Sequence, residues 1–135
     1  MDLNTAMKVS ASGLHAQSVR MRVIAENLAN QDSVADNAGG APYRRKLVTF
    51  ANELDRAMGV NLVSPGRVQY DQSEFGLQYD PGHPAADDAG YIQTTNVNGL
   101  VEAMDMSQAQ RSYQSNLNAL ETSRRMASLT LDLMR

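Results

Sequence analysis

AENLANQDS, residues 25–33, ends a run from Leu14 onward that contains neither glycine nor proline, and it leads into a stretch that holds Gly39, Gly40 and Pro42. Asparagine is mediocre inside a helix and good at its end, because its short amide side chain tolerates the left-handed conformation. Asn27 and Asn30, three apart, therefore read as a helix stop. What precedes them supports that reading. Met7, Ala11, Leu14, Met21, Ile24 and Leu28 recur at spacings of three, four and seven, which is one face of a helix. Asn4 or Thr5 is positioned to cap its start. A helix over residues 4–29 is about 40 Å long.

The last part of the chain repeats the pattern. Tyr113, Leu117, Leu120, Ala127, Leu131 and Met134 fall on one stripe, which Arg124 interrupts. No glycine or proline follows Gly99. The spacing predicts a helix over residues 99–134, about 50 Å long.

Composition changes sharply between these ends. All four prolines lie between residues 42 and 84, and six of the seven aromatics lie between 43 and 91. The ends read as helical and the middle as strands and turns. YRRKLVTFANEL opens the middle with the strand formers Tyr43, Val48 and Phe50. VNLVSPGRVQY reads as a hairpin turning at Ser64-Pro65-Gly66. FGLQYDPGHP and GYIQTT add short extended pieces. The fold class is α+β: long N- and C-terminal helices forming a coiled-coil-like pair, with a small β-rich module inserted between them. The boundaries expected are an N-terminal helix over 1–30, a flexible loop over 31–42, the β-rich module over 43–96 and a C-terminal helix over 97–135. The module holds most of the aromatics and turns, so its contacts are expected to be internal.

Charge and size exclude several function classes. The 135 residues carry 12 basic and 15 acidic side chains, a formal net charge of −3 that argues against nucleic acid as the main partner. Residues 31–96 alone hold five basic and nine acidic side chains, the whole acidic excess. There is no cysteine and no tryptophan. A disulfide framework is excluded, and a large core is not expected where aromatics are scarce. No apolar run is long enough for a spanning helix, so no direct membrane insertion is expected. The first residues lack the basic segment and continuous apolar stretch of a cleaved secretory signal.

Chemistry-bearing motifs are weak. His15 and His83 have no second ligand at metal spacing. Asp80, Asp87 and Asp88 lack the alternating ligands and distal glutamate of a calcium loop. Gly39-Gly40 is not followed by the Lys-Ser/Thr of a phosphate loop. Tyr43-Arg44-Arg45-Lys46 reads as a solvated strand edge. No catalytic, cofactor-binding or metal-binding residue is expected, and no enzyme. The two long helices are the strongest signal. Their seams of Met, Ala and Leu are narrow, so a lone pair is marginal and neighbouring chains would cover more of each face.

Residues 12–30, SGLHAQSVRMRVIAENLAN, resemble the N-terminal signature of the bacterial flagellar axial proteins, the rod and hook subunits. Their first helix closes on an N-L-A-N element, here Asn27, Leu28, Ala29 and Asn30. MSQAQRSYQSNLNAL, residues 106–120, resembles the partner helix of those proteins, with Tyr113, Asn116 and Leu117 at its centre. PYRRKLVTF and YDPGHPAADDAGYIQTTNVN are similar to the short proximal rod subunits within that family. One departure is visible: Thr95 stands where the family pattern has proline.

The resemblance implies a structural subunit that polymerises into a helical tube crossing the periplasm, transmits motor torque and encloses the export channel. It implies paired helices in the inner layer of that tube. The assembly surface is then Met7, Ala11, Leu14, Met21, Ile24, Leu28, Tyr113, Leu117, Leu120, Ala127, Leu131 and Met134. Implied partners are copies of the chain, proximal and distal rod subunits, a rod-base adaptor and the export apparatus, with export unprocessed by a cleaved signal. The alternative is another rod or hook component; a different class is a coiled-coil export regulator. Concentration-dependent polymerisation separates the structural reading from the regulator.

Overall fold

A computed structural model describes residues 2–134. The order is α1 (Leu3–Ala29), β1 (Lys46–Asp55), β2 (Val60–Tyr70), β3 (Gly76–Tyr79), β4 (Tyr91–Thr94) and α2 (Gly99–Leu133). The expected α+β arrangement is present: two long helices enclose, in sequence, a small module of two separate two-stranded sheets.

Local chemistry accounts for the helix ends, with two corrections. The carbonyl of Asp2 accepts from the Ala6 N–H at 3.0 Å, so Asp2 occupies the capping position and Asn4 and Thr5 lie inside the helix. At the other end no residue except glycine adopts positive φ among the described residues. Asn30 therefore stops α1 by a different device from the left-handed turn expected. Its Nδ2 donates back to the Glu26 carbonyl at 2.8 Å, satisfying an acceptor that the last turn leaves open. Asn98 starts α2: its Oδ1 accepts from Leu100 and Val101 N–H at 3.1 and 3.3 Å, and its carbonyl accepts from Glu102 at 3.0 Å.

The hairpin turn is not at Ser64-Pro65-Gly66. β2 runs through all three residues, and the chain reverses at residues 56–59. Asp55 Oδ1 accepts from Ala57 and Met58 N–H at 2.9 and 3.3 Å, and Gly59 closes the turn at φ +65°. A two-stranded ribbon leaves an open edge on each strand, the setting in which a strand accommodates proline. Gly66 serves close approach instead: a Cβ there would lie 2.8 Å from Thr49 Oγ1.

The chain divides into two compact units. The first comprises Met1–Arg22, Val48–Arg67 and Ser107–Arg135. Within it α2 comes tight against α1 at Gly13, where a Cβ would lie 2.8 Å from the Asn116 amide. Ser12 Oγ donates to the Val9 carbonyl at 2.7 Å and accepts from Val63 N–H at 3.2 Å, tying α1 to β2. Ala16 and Ala109 are its buried apolar residues.

The second unit comprises Val23–Leu47 and Val68–Met106. Its sheet is antiparallel, with Leu77 opposite Gln93 and Tyr79 opposite Tyr91. The Tyr79 and Tyr91 rings meet edge-on at 5.2 Å between centroids. Ile92 packs with Ala35 and Ala85, and a bridge from Val34 to Thr94 adds the loop after α1 to the sheet. Thr95, where the resemblance leads one to expect proline, is buried, and its Oγ1 accepts from Val97 N–H at 3.2 Å. A proline there would hold residue 94 extended; β4 already does so.

Candidate functional site

The N-L-A-N element lies in the second unit, and Asn27 is 1% exposed although it is polar. An asparagine amide offers two donors and two acceptor lone pairs. All four are used. Nδ2 donates to the Lys46 carbonyl at 2.8 Å and to Glu102 Oε2 at 3.1 Å. Oδ1 accepts from Lys46 N–H and from the Tyr43 hydroxyl, both at 2.9 Å. Toward Lys46 the side chain behaves as a neighbouring strand would, engaging both the N–H and the carbonyl of one residue.

Glu102 is equally buried, at 1% exposed, in the first turn of α2. A buried carboxylate is costly unless paired and hydrogen-bonded. Arg45 supplies the pairing: its Nε donates to Glu102 Oε1 in a short charge-assisted bond. The same guanidinium reaches Asp71 Oδ2 at 3.4 Å and Asp105 Oδ2 at 3.5 Å. The Arg45 N–H donates to Asn96 Oδ1 at 2.7 Å, and Asn96 Nδ2 donates to the Asp71 carbonyl at 3.2 Å. Lys46 Nζ pairs with Glu26 at 2.8 Å. Arg44 lies over the Phe75 ring at 4.2 Å and donates to the Asp71 and Ser73 carbonyls.

The electrostatics follow from these contacts. Burial lowers the affinity of Arg45 for its proton, but Glu102 and then Asp71 outweigh burial and hold the guanidinium above its ordinary value. The Asp71 carboxylate is held below the ordinary 3.8 by the Ser73 backbone N–H, then the Ser73 hydroxyl, then Arg45. Lys46 is raised by its hydrogen bond to Glu26. Burial pushes the Tyr43 phenol up. The cluster is a fixed, charged joint between the end of α1, the start of β1 and the start of α2.

Two expectations fail here. Tyr43-Arg44-Arg45-Lys46 is not a solvated edge: Arg45 is 18% exposed and faces three carboxylates. The contacts of the β-rich region are not internal, because Asn27, Glu26 and Glu102 come from the helices. Glu102, Asp71 and Asn96 escaped sequence reading. The available signal was an acid on the otherwise apolar start of the last helix, beside Leu100, Val101 and Met104.

The stripe residues are distributed unevenly. Ile24 is buried, while Met7, Leu14, Met21 and Leu28 are half-buried and Ala11 is exposed. Tyr113, Leu117, Leu120 and Ala127 are half-buried, and Leu131 and Met134 are 65% and 79% exposed. His83 serves its own turn, its Nδ1 accepting from Ala85 N–H at 3.1 Å. Among the described residues no three acidic or histidine side chains converge as a metal site, and no helix is long and apolar enough to cross a membrane.

Comparison with known proteins gives two family matches. Residues 7–35 match the flagella basal body rod protein family, and residues 88–133 match the C-terminal family of flagellar basal body rod FlgEFG proteins. The chain is 44% identical over 133 residues to the flagellar basal-body rod protein FlgC of Agrobacterium fabrum, covering 98% of this chain and 96% of that protein. It is 38% identical to FlgC of Salmonella typhimurium over 98% of both chains, and 36% identical to FlgC of Bacillus subtilis over 95% of both. With similarity of this level along nearly its whole length, the chain belongs to the FlgC family of flagellar basal-body rod proteins.

Proposed function

We infer that this chain is a structural subunit of the flagellar basal-body rod, and that it polymerises with copies of itself and with other rod proteins into the tube that crosses the periplasm, carries torque and encloses the export channel. The observation that carries the assembly reading is unspent surface. The chain exposes 9123 Å², against about 6,900 Å² expected for a monomeric protein of its mass. The excess is about 2,200 Å², the scale of a stable protein interface. Much of it is apolar: no described residue from 110 to 134 is buried, and Leu129, Leu131 and Leu133 are 57%, 65% and 89% exposed.

In this reading the two helix stripes are assembly surfaces, and the Asn27–Glu102 joint fixes how the helices leave the β strands. The role is mechanical, not catalytic. Rod-base adaptor and export apparatus are the remaining partners, with export unprocessed by a cleaved signal. The test is purification of intact basal bodies followed by cross-linking. The chain should copurify and cross-link through residues of α1 and α2 to rod proteins. Its absence from basal bodies would sink the reading, and a monomer at every concentration would favour the regulator.

A further inference from the structure

The two compact units carry opposite charge. The first holds nine basic and five acidic side chains, a formal +4; the second holds three basic and ten acidic, a formal −7. From Val68 to Gln110 there is no lysine or arginine at all. The three cations of the second unit are engaged within it: Arg45 and Lys46 by carboxylates, Arg44 by Phe75 and two carbonyls. Asp32, Asp36, Glu74, Asp87 and Asp88 are exposed and have no cation of their own unit left to meet.

Two of these acids border exposed apolar side chains: Glu74 lines a hollow with Leu77, and Asp87, next to Asp88 in sequence, lines one with Leu77 and Tyr91. Leu77 and Tyr79 on β3 are 69% and 64% exposed, and Tyr91 on β4 is 45% exposed. The basic unit has an apolar face of its own. Met126, Leu129 and Leu133 are three and four apart on α2, 52%, 57% and 89% exposed, with Arg124 and Arg125 immediately before them. An apolar strip led by two arginines, with Asp132 its one acid, and an apolar sheet face bordered by Glu74 and Asp87 are complementary in both respects.

We propose that the β3–β4 face of one copy receives the Arg124–Leu133 segment of α2 from a second copy, with opposite charge selecting the pairing. This rests on the reading of the chain as a self-assembling subunit and names the surfaces that do it. The donor and acceptor patches are different surfaces of one chain, so the contact is head-to-tail and builds a ring or an open helix, not a closed pair. Like faces repel, which disfavours the closed pairing of two identical patches.

The test is sedimentation of the full chain at rising concentration, at about 50 and about 500 mM salt. Association should weaken at least about tenfold at the higher salt. Arg124→Glu with Arg125→Glu should lose association, as should Glu74→Arg with Asp88→Arg, each with an unchanged circular dichroism spectrum. Mixing the two variants should restore pairing between them and not within either. Association insensitive to salt and to every charge variant overturns the proposal and leaves self-assembly standing. A wild-type chain that stays monomeric overturns both, as does an acidic face that binds only a different purified rod protein. Loss of association without rescue on mixing also overturns it, since the complementary pairing is its content.

Discussion

At the scale of single residues, Asn27 carries more than its place in a helix stop suggests. Removing its amide leaves the Lys46 N–H, the Tyr43 hydroxyl and a Glu102 oxygen short of a partner at a buried position. Asn27→Ala should therefore cost about 2–4 kcal/mol, read as a lower denaturation midpoint at unchanged slope. Asn27→Asp should cost more at neutral pH, because it sets a second carboxylate against Glu102. Asp71 gives the pH dependence. Its carboxyl is held below 3.8 in the fold, so its contribution is intact above that value and is lost as pH falls through the lower folded one. Asp71→Asn should melt below the wild type at pH 7, and the gap should narrow as pH falls below 3.8. Asn27 was legible in the sequence, because N-L-A-N marks it. Arg45 and Glu102 were not, because they lie 57 residues apart and Glu102 lies 75 from Asn27, beyond any local pattern.

At the scale of elements, both helices were legible to within a residue or two, since a 3.6-residue period sustained over about seven or more turns has little competition. The hairpin was misplaced for a physical reason. Ser-Pro-Gly is turn chemistry, but proline also fits an open strand edge and glycine also serves where a strand comes close. Asp55 and Gly59 settle the question through a capped turn with positive φ. Gly59→Ala should therefore cost about 1 kcal/mol, whereas Pro65→Ala should change the melting temperature little. A thermal melt of each variant distinguishes them, and a larger loss at Pro65 would contradict the ribbon. In α2, amides beyond Ala109 should exchange faster in the isolated chain than those at 102–109, because burial ends there. In assembled rods the difference should disappear.

At the scale of the molecule, a thin core accompanies a large exposed surface. The buried apolar residues among those described include four alanines, and the chain instead joins its parts with a charged cluster. Leu131→Asp should leave the isolated subunit's melting curve within about 0.5 kcal/mol of wild type, because Leu131 is already 65% exposed. It should nonetheless abolish rod assembly, seen as cells without hooks or filaments. Normal motility would remove this face from the assembly surface. The overall class was readable from the helical period of the two ends and from the prolines and aromatics that crowd the middle. The division into an acidic and a basic unit was not, because each unit is stitched from separate stretches of chain. The joint at Asn27, Arg45 and Glu102 also has a consequence in time. If the chain is exported through a channel from its N-terminus, as proposed above, the joint cannot close until residue 102 has emerged, roughly three quarters of the way along. Until then Glu102 has not arrived to balance Arg45, and long loops must close before the contact forms. On that reading the joint is completed only after most of the subunit is through.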